Sequence, residues 1–140
     1  MSEQLPQNAP LSPAEEKQWA MISHFSVLIN IFTGFVGAGV PLVIYFIYKD
    51  RSRYVAYHSL QALIMQAICS FGGLLLAVLI GGLSQLIPFA GLICLPISCL
   101  FGLLPLVALV YGTYGGIKIN QGEDFKYWMI GDWVRSTLTG

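Results

Sequence analysis

Apolar residues dominate this chain in long unbroken runs, and its charged residues fall in a few short groups between them. No Asp, Glu, Lys or Arg occurs between Lys17 and Lys49, nor between Arg53 and Lys118. Roughly 20 apolar residues are needed to cross about 30 Å of hydrocarbon. The second gap therefore holds two crossings with a turn, and the first holds one long crossing or a short helical pair. Turn and cap signals divide the runs further. Ser12-Pro13-Ala14-Glu15 reads as a helix start, with a serine cap, a proline in the first turn and a glutamate three residues after the cap. A first helix is expected over about 13–32, with Trp19 as an interface anchor. Gly34, Gly37, Gly39 and Pro41 then break or turn it. Further helices are expected over about 41–48, 55–80 and 97–117, the last bent at Pro105. An uncharged connector over 81–96 should hug the outer interface. The expected fold is all-α: a polytopic membrane bundle of three to four membrane helices over residues 12–118. A disordered polar tail over 1–11 should precede it, and an amphipathic interfacial segment over 119–140 should follow.

Composition points the same way. The 140 residues are 56% apolar and 10% charged, where a soluble domain carries about a quarter charged residues. The net charge is zero, which argues against nucleic acid or an acidic substrate as a partner. The first 18 residues lack the basic start and apolar run of a cleavable signal, so the mature chain is expected to begin at Met1. Cys69, Cys94 and Cys99 lie in apolar sequence without zinc-type spacing or a secreted disulfide pattern, and read as small core residues.

Two arrangements satisfy residues 18–48. A kink at the glycines gives a single crossing, whereas a turn gives a hairpin with both ends on one side. Basic short loops stay in the cytoplasm, and the 49–53 loop carries Lys49, Arg51 and Arg53. The hairpin leaves every Lys and Arg on that same side and is the favoured arrangement. The 49–53 loop and the C-terminus are then cytoplasmic.

Ionisable residues inside a membrane are costly and therefore candidates for function. His24 falls near the middle of the first helix and His58 near the start of the third, at different expected depths. A haem held between them would need equal depth, so interhelical hydrogen bonding is the favoured role. Gln61 follows His58 by one turn, and Gln66 lies further along the same helix. His58, Gln61 and Gln66 read as interhelical hydrogen-bonding groups or, more sharply, as the polar lining of a path. Gly73, Ala77 and Gly81 form a small-residue stripe, and Gly112 and Gly116 a G-x-x-x-G pair, suited to close helix packing within the chain or between chains. Lys49, Arg51, Arg53, Trp128 and Trp133 are candidate contacts for headgroups or a cytoplasmic partner. No catalytic triad, phosphate-binding loop, carboxylate pair or metal cluster is legible, so no enzyme activity and no cofactor are expected.

Two stretches carry a resemblance. In the first, the basic loop from Lys49 to Arg53 leads into Val55-Ala56-Tyr57-His58-Ser59-Leu60-Gln61-Ala62-Leu63, followed by Gln66. In the second, Gly115-Gly116 leads into Asn120-Gln121-Gly122-Glu123-Asp124-Phe125-Lys126-Tyr127. With the Gly39-Val40-Pro41-Leu42 step, this resembles a widespread family of small bacterial membrane proteins of unknown function, related to the import subunit of the chloroplast Tic translocon. Trp128 stands where that family often has proline. The resemblance implies a four-helix membrane domain and, distantly, a channel or scaffold role. The leading expectation is a non-enzymatic accessory or scaffold subunit of a bacterial plasma-membrane complex, its partners the lipid bilayer and other membrane subunits or itself. A small homo-oligomeric channel or transporter is the alternative, and a haem-binding membrane protein ranks below both.

Overall fold

The capping box at Ser12 forms as its residues dictate. Ser12 Oγ accepts from the Glu15 amide at 3.4 Å, and Glu15 Oε2 accepts from the Ser12 amide at 2.9 Å. In the computed structural model, which describes residues 9–139, this cap opens α1 (Pro13–Phe25). A 3₁₀ stretch (Ser26–Ile29) and the short α2 (Asn30–Thr33) continue it. Gly34, at φ 79°, adopts the left-handed conformation open to glycine and reverses the chain. Val36–Ala38 and α3 (Gly39–Tyr48) run back, so that Trp19 meets Tyr48 with ring centroids 4.9 Å apart. Residues 18–48 therefore form a hairpin. Gly37 makes its tip tight: a Cβ there would lie 2.3 Å from Ser26 O, and its amide donates to Asn30 Oδ1 at 2.7 Å.

Ser52 caps α4 (Arg53–Gln66), which continues through a π-helical segment (Ala67–Gly72) into α5 (Gly73–Leu86). After a turn at 87–90, α6 (Gly91–Gly102) breaks briefly at Leu103 and α7 (Leu104–Asn120) follows. Pro105 sits in the first turn of α7, where its missing N–H costs nothing. The connector expected over 81–96 contracts to that turn, and Gly81 lies within α5. Glycine is tolerated there because a Cβ would meet Ser98 Oγ at 3.0 Å, while Ser98 Oγ donates to Ala77 O at 2.6 Å. Two continuous runs are long and apolar enough to cross a membrane, Arg53–Leu86 with 34 residues and Gly91–Asn120 with 30. The described residues are helical without strands. Three or four spanning helices were expected; two have the length.

The core forms where α1, α4 and α7 meet, around Ala20, Val27, Met65, Ala108 and Ile119. Beyond it, large apolar side chains stand exposed along α3, α5, α6 and α7, and Phe32 in α2 and Phe89 in the 87–90 turn are among the most exposed. That distribution suits a bilayer, where lipid takes the place of an interior. Of the cysteines, Cys69 is in the core, Cys94 is half-buried and Cys99 is exposed. The core role read for all three thus holds for Cys69 alone, because α6 packs on little besides α5.

Charge collects at one end. Ser52 Oγ donates to Glu16 Oε1 at 2.5 Å, Arg51 Nε donates to Ala9 O at 3.0 Å, and Arg53 donates to Leu138 O. The disorder expected over 1–11 falls for residues 1–8 outside the described residues. Leu11, by contrast, packs against Ile44 and Val55.

Candidate functional site

The chain leaves α7 through Gly122, again in the left-handed region at φ 86°. From Glu123 to Tyr127 it is neither helix nor strand, and burial alternates along its last residues. Phe125 and Tyr127 turn inward and are buried, while Asp124 and Lys126 face out. The first half of the segment expected to lie on the membrane surface is thus built into the core. The second half forms α8 (Ile130–Thr139), which packs along the opening turns of α4 through Gly131 and Val134 and leaves Trp133 exposed. Gly131 permits this approach, since a Cβ would lie 2.9 Å from the Tyr57 hydroxyl and 3.3 Å from Gln61 Oε1.

Tyr127 and Gln61 hold this segment. Gln61 Nε2 donates to Phe125 O at 3.0 Å, and Gln61 Oε1 accepts from the Tyr127 amide at 3.2 Å. These two backbone partners fix the orientation of the amide. Its second hydrogen points at His58 Nδ1, 2.9 Å away, which must therefore be the unprotonated nitrogen. The Tyr127 hydroxyl and His24 Nδ1 share a hydrogen bond at 2.9 Å, and burial raises the phenol's pKa. His24 Nε2 lies 3.3 Å from the same His58 Nδ1, whose single lone pair the closer Gln61 amide takes. The contacts run from Tyr127 to His24, from His24 to His58 and from His58 to Gln61. The remaining hydrogen, on His58 Nε2, is buried without a hydrogen-bond partner and faces Asp124 Oδ1 at 3.5 Å.

His24 and His58 are thus in contact, which corrects the expectation that they lie at different depths. The hairpin brings α1 alongside α4, and helix offset, invisible in sequence spacing, sets the level. Contact does not make a haem site. Two axial nitrogens across a metal would stand about 4 Å apart at 2.0–2.1 Å per bond, with a porphyrin between them. Here the rings meet directly at 67° and Tyr127 and Gln61 close the remaining edges. Among the described residues no group of three or more His, Cys, Asp or Glu is gathered for a metal.

Gln66 serves a second tie, accepting from Asn30 Nδ2 at 2.9 Å and donating to Ser26 Oγ at 3.0 Å, and so fastens the hairpin to α4. His58 and Gln61 are buried and bonded to each other, and Gln66 is buried and bonded to Asn30 and Ser26; as placed, they tie helices together. The small residues also face inward. A Cβ at Gly73 would meet Leu104 Cβ at 2.8 Å, one at Gly112 would meet Val27 Cγ1 at 2.9 Å, and one at Gly116 would meet the Phe25 ring at 3.0 Å. Outside the network lies a charged layer. Arg135 Nη2 donates to Asp124 Oδ2 at 2.7 Å and its guanidinium stacks 4.6 Å from the Tyr57 ring. Lys126 pairs with Asp132 at 2.8 Å and Lys118 with Glu123 at 2.9 Å. Lys49 and Arg51 lie over the rings of Phe46 and Tyr48, and Trp128 is largely exposed.

Sequence reasoning missed Gly115, Asn30 and the inward roles of Phe125 and Tyr127. The apolar–polar alternation from Glu123 to Tyr127 was the available signal for the last two. Gly115 lies where a Cβ would meet Phe125 Cε1 at 2.6 Å and His24 Nδ1 at 2.9 Å, a clash that only the folded tail reveals.

No curated protein and no solved structure matches the chain. A family model does match it, over residues 15–134: the magnetosome magnetite crystal formation protein family, MamF/MmsF. This match corrects the resemblance to the Tic-related family. The motifs behind that resemblance are short, and the family match extends over residues 15–134.

Proposed function

The chain belongs to the magnetosome magnetite crystal formation protein family, and from that premise we propose that it is a non-enzymatic accessory subunit of the magnetosome membrane. It is a membrane protein, with two helices long enough to cross. Its part in crystal formation is to hold a rigid charged platform, residues 118–139, at one face of that membrane for a partner subunit. The observation that carries the reading is the Tyr127–His24–His58–Gln61 network. It spends the buried polar groups on fixing the platform to the bundle instead of on a path or a cofactor.

The same geometry supports a topology of two crossings and one re-entrant hairpin. Arg53–Leu86 is about 50 Å long at 1.5 Å per residue, enough to cross with tilt, whereas the Val36–Tyr48 arm reaches only about 20 Å. The hairpin then enters and returns without crossing, and the charged segments share the cytoplasmic side. Single-cysteine labelling tests this in a background with Cys69, Cys94 and Cys99 replaced by alanine. Phe89→Cys should label from the face opposite Thr139→Cys, and Phe35→Cys from neither. Labelling of Phe35→Cys from the Phe89 face would mean that the hairpin crosses.

Gentle-detergent purification from magnetosome membranes tests the accessory role. A stoichiometric membrane partner should be retained by the native chain and lost by Gln61→Leu, with both inserted. Recovery of a lone homo-oligomer that passes ions in liposomes would replace the accessory reading with the channel.

A further inference from the structure

A cavity of about 230 Å³ opens at the charged end between the start of α4 and α8, lined by Arg53, Tyr54, Tyr57, Asp124, Arg135 and Leu138. Most of its wall is apolar, and the tyrosine rings and Leu138 contribute to it. Two guanidiniums reach the same small space from different elements. Arg135 is engaged by Asp124 at 2.7 Å. Arg53 donates to a backbone carbonyl, that of Leu138, and among the described residues it has no carboxylate partner. The named lining side chains carry two positive charges against one negative.

We propose that this cavity binds the phosphate headgroup of an anionic phospholipid from the surrounding bilayer. The phosphodiester sits between Arg53 and Arg135, and the adjoining glycerol carbons rest against the tyrosine rings and Leu138. Three observations select a lipid over a free anion. The wall is mainly apolar, which suits an amphipathic ligand and gives little to inorganic phosphate. The volume lies below the range of about 300–1,000 Å³ usual for a whole small-molecule ligand, so it accommodates a headgroup whose chains continue outside. The site also borders the opening of the Arg53–Leu86 run, the level at which headgroups lie in the proposed topology. A guanidinium presents two parallel N–H groups to a phosphate, a fit that lysine lacks. Basic pockets at the ends of membrane helices are suited to anionic headgroups on the same grounds.

The inference shares with the proposed topology only the level at which the headgroups lie. The full-length protein is reconstituted in nanodiscs of phosphatidylcholine with a minor share of phosphatidylglycerol, and the lipids kept after gentle extraction are counted by native mass spectrometry. The native chain should retain phosphatidylglycerol well beyond its share. Arg53→Gln should reduce that retention about fivefold, the factor for one basic residue at an anionic surface, with helicity and insertion unchanged. Arg135→Gln should reduce it at least as much; because Arg135 also holds Asp124, the Arg53 variant decides. A millimolar excess of inorganic phosphate should not displace the lipid. Retention of both lipids in proportion to their shares, or undiminished selectivity in Arg53→Gln, would overturn the site. Displacement by inorganic phosphate would overturn the lipid as its ligand. Each of these results, in a protein that still inserts, leaves the topology standing.

Discussion

Replacing Gln61 by leucine removes three interactions while nearly conserving side-chain volume. It deletes the bonds to Phe125 O, the Tyr127 amide and His58 Nδ1, at 3.0, 3.2 and 2.9 Å. His58 Nδ1 still has His24 Nε2 at 3.3 Å. The two backbone groups of the 125–127 segment keep nothing. Each buried orphan costs about 1–3 kcal/mol. The segment borders the surface, with Asp124 and Lys126 exposed on its other face, so water can reach part of what is lost. The lower half of the range then applies, about 3 kcal/mol for the pair. The cost falls on docking of the tail, because α1 and α7 still pack through Ala20, Val27 and Ala108. At 1.4 kcal/mol per tenfold, the docked tail becomes about a hundredfold less favoured against its open form. Hydrogen exchange in nanodiscs reads this directly. The Tyr127 and Gly131 amides, bonded to Gln61 Oε1 and Tyr127 O, should exchange about a hundredfold faster in Gln61→Leu. Gln85→Leu, at the far end of α5, should leave them unchanged. Equal protection of those amides in Gln61→Leu and the native chain would refute the claim that Gln61 anchors the platform.

Gly115→Ala places a methyl 2.6 Å from the Phe125 ring and should lower stability by about 1–3 kcal/mol, measured as earlier thermal loss of helicity in detergent. Gly39→Ala meets nothing within 4 Å and has helical backbone; it should be neutral or stabilising by up to about 1 kcal/mol in the same assay. Gly112→Leu drives into Val27, so it should weaken the α1–α7 contact itself, and loss of an intact partner complex without loss of stability would contradict its inward placement. Hydrogen bonds from Ser12 hold the Glu15 carboxyl below the usual range. Its contribution to the first turn is therefore present above the unfolded-state value and lost as pH falls through the lower folded one, visible as a lower protection factor of the Glu15 amide in acid.

Much of the membrane character was legible from charge spacing alone. Stretches free of charge on either side of the 49–53 loop admit few alternatives in water, because a soluble surface of that composition would bury too little and expose too much. The Ser12 cap was legible for a similar local reason, since its partners lie within three residues. The glycines at 34–39 could be seen as a break or a turn, and only the charge distribution favoured the turn. Whether a glycine kinks a helix or turns the chain depends on what the two arms find to pack against, here Trp19 on Tyr48 and Gly37 on Ser26.

Length, charge spacing and apolar runs by themselves determined an all-helical membrane protein with its charge gathered into three short segments. Tertiary structure decided that these segments meet at one end, that the first two helical arms pack back on each other, and that Phe125 and Tyr127 belong to the core. It also decided that His24 and His58 touch. Helical periodicity orders residues around one axis and is blind to the offset between axes; contact between residues 24, 58 and 127 depends on that offset and on a tail that folds back. Such contacts are set by packing of elements far apart in sequence, and no local pattern of residues encodes their level.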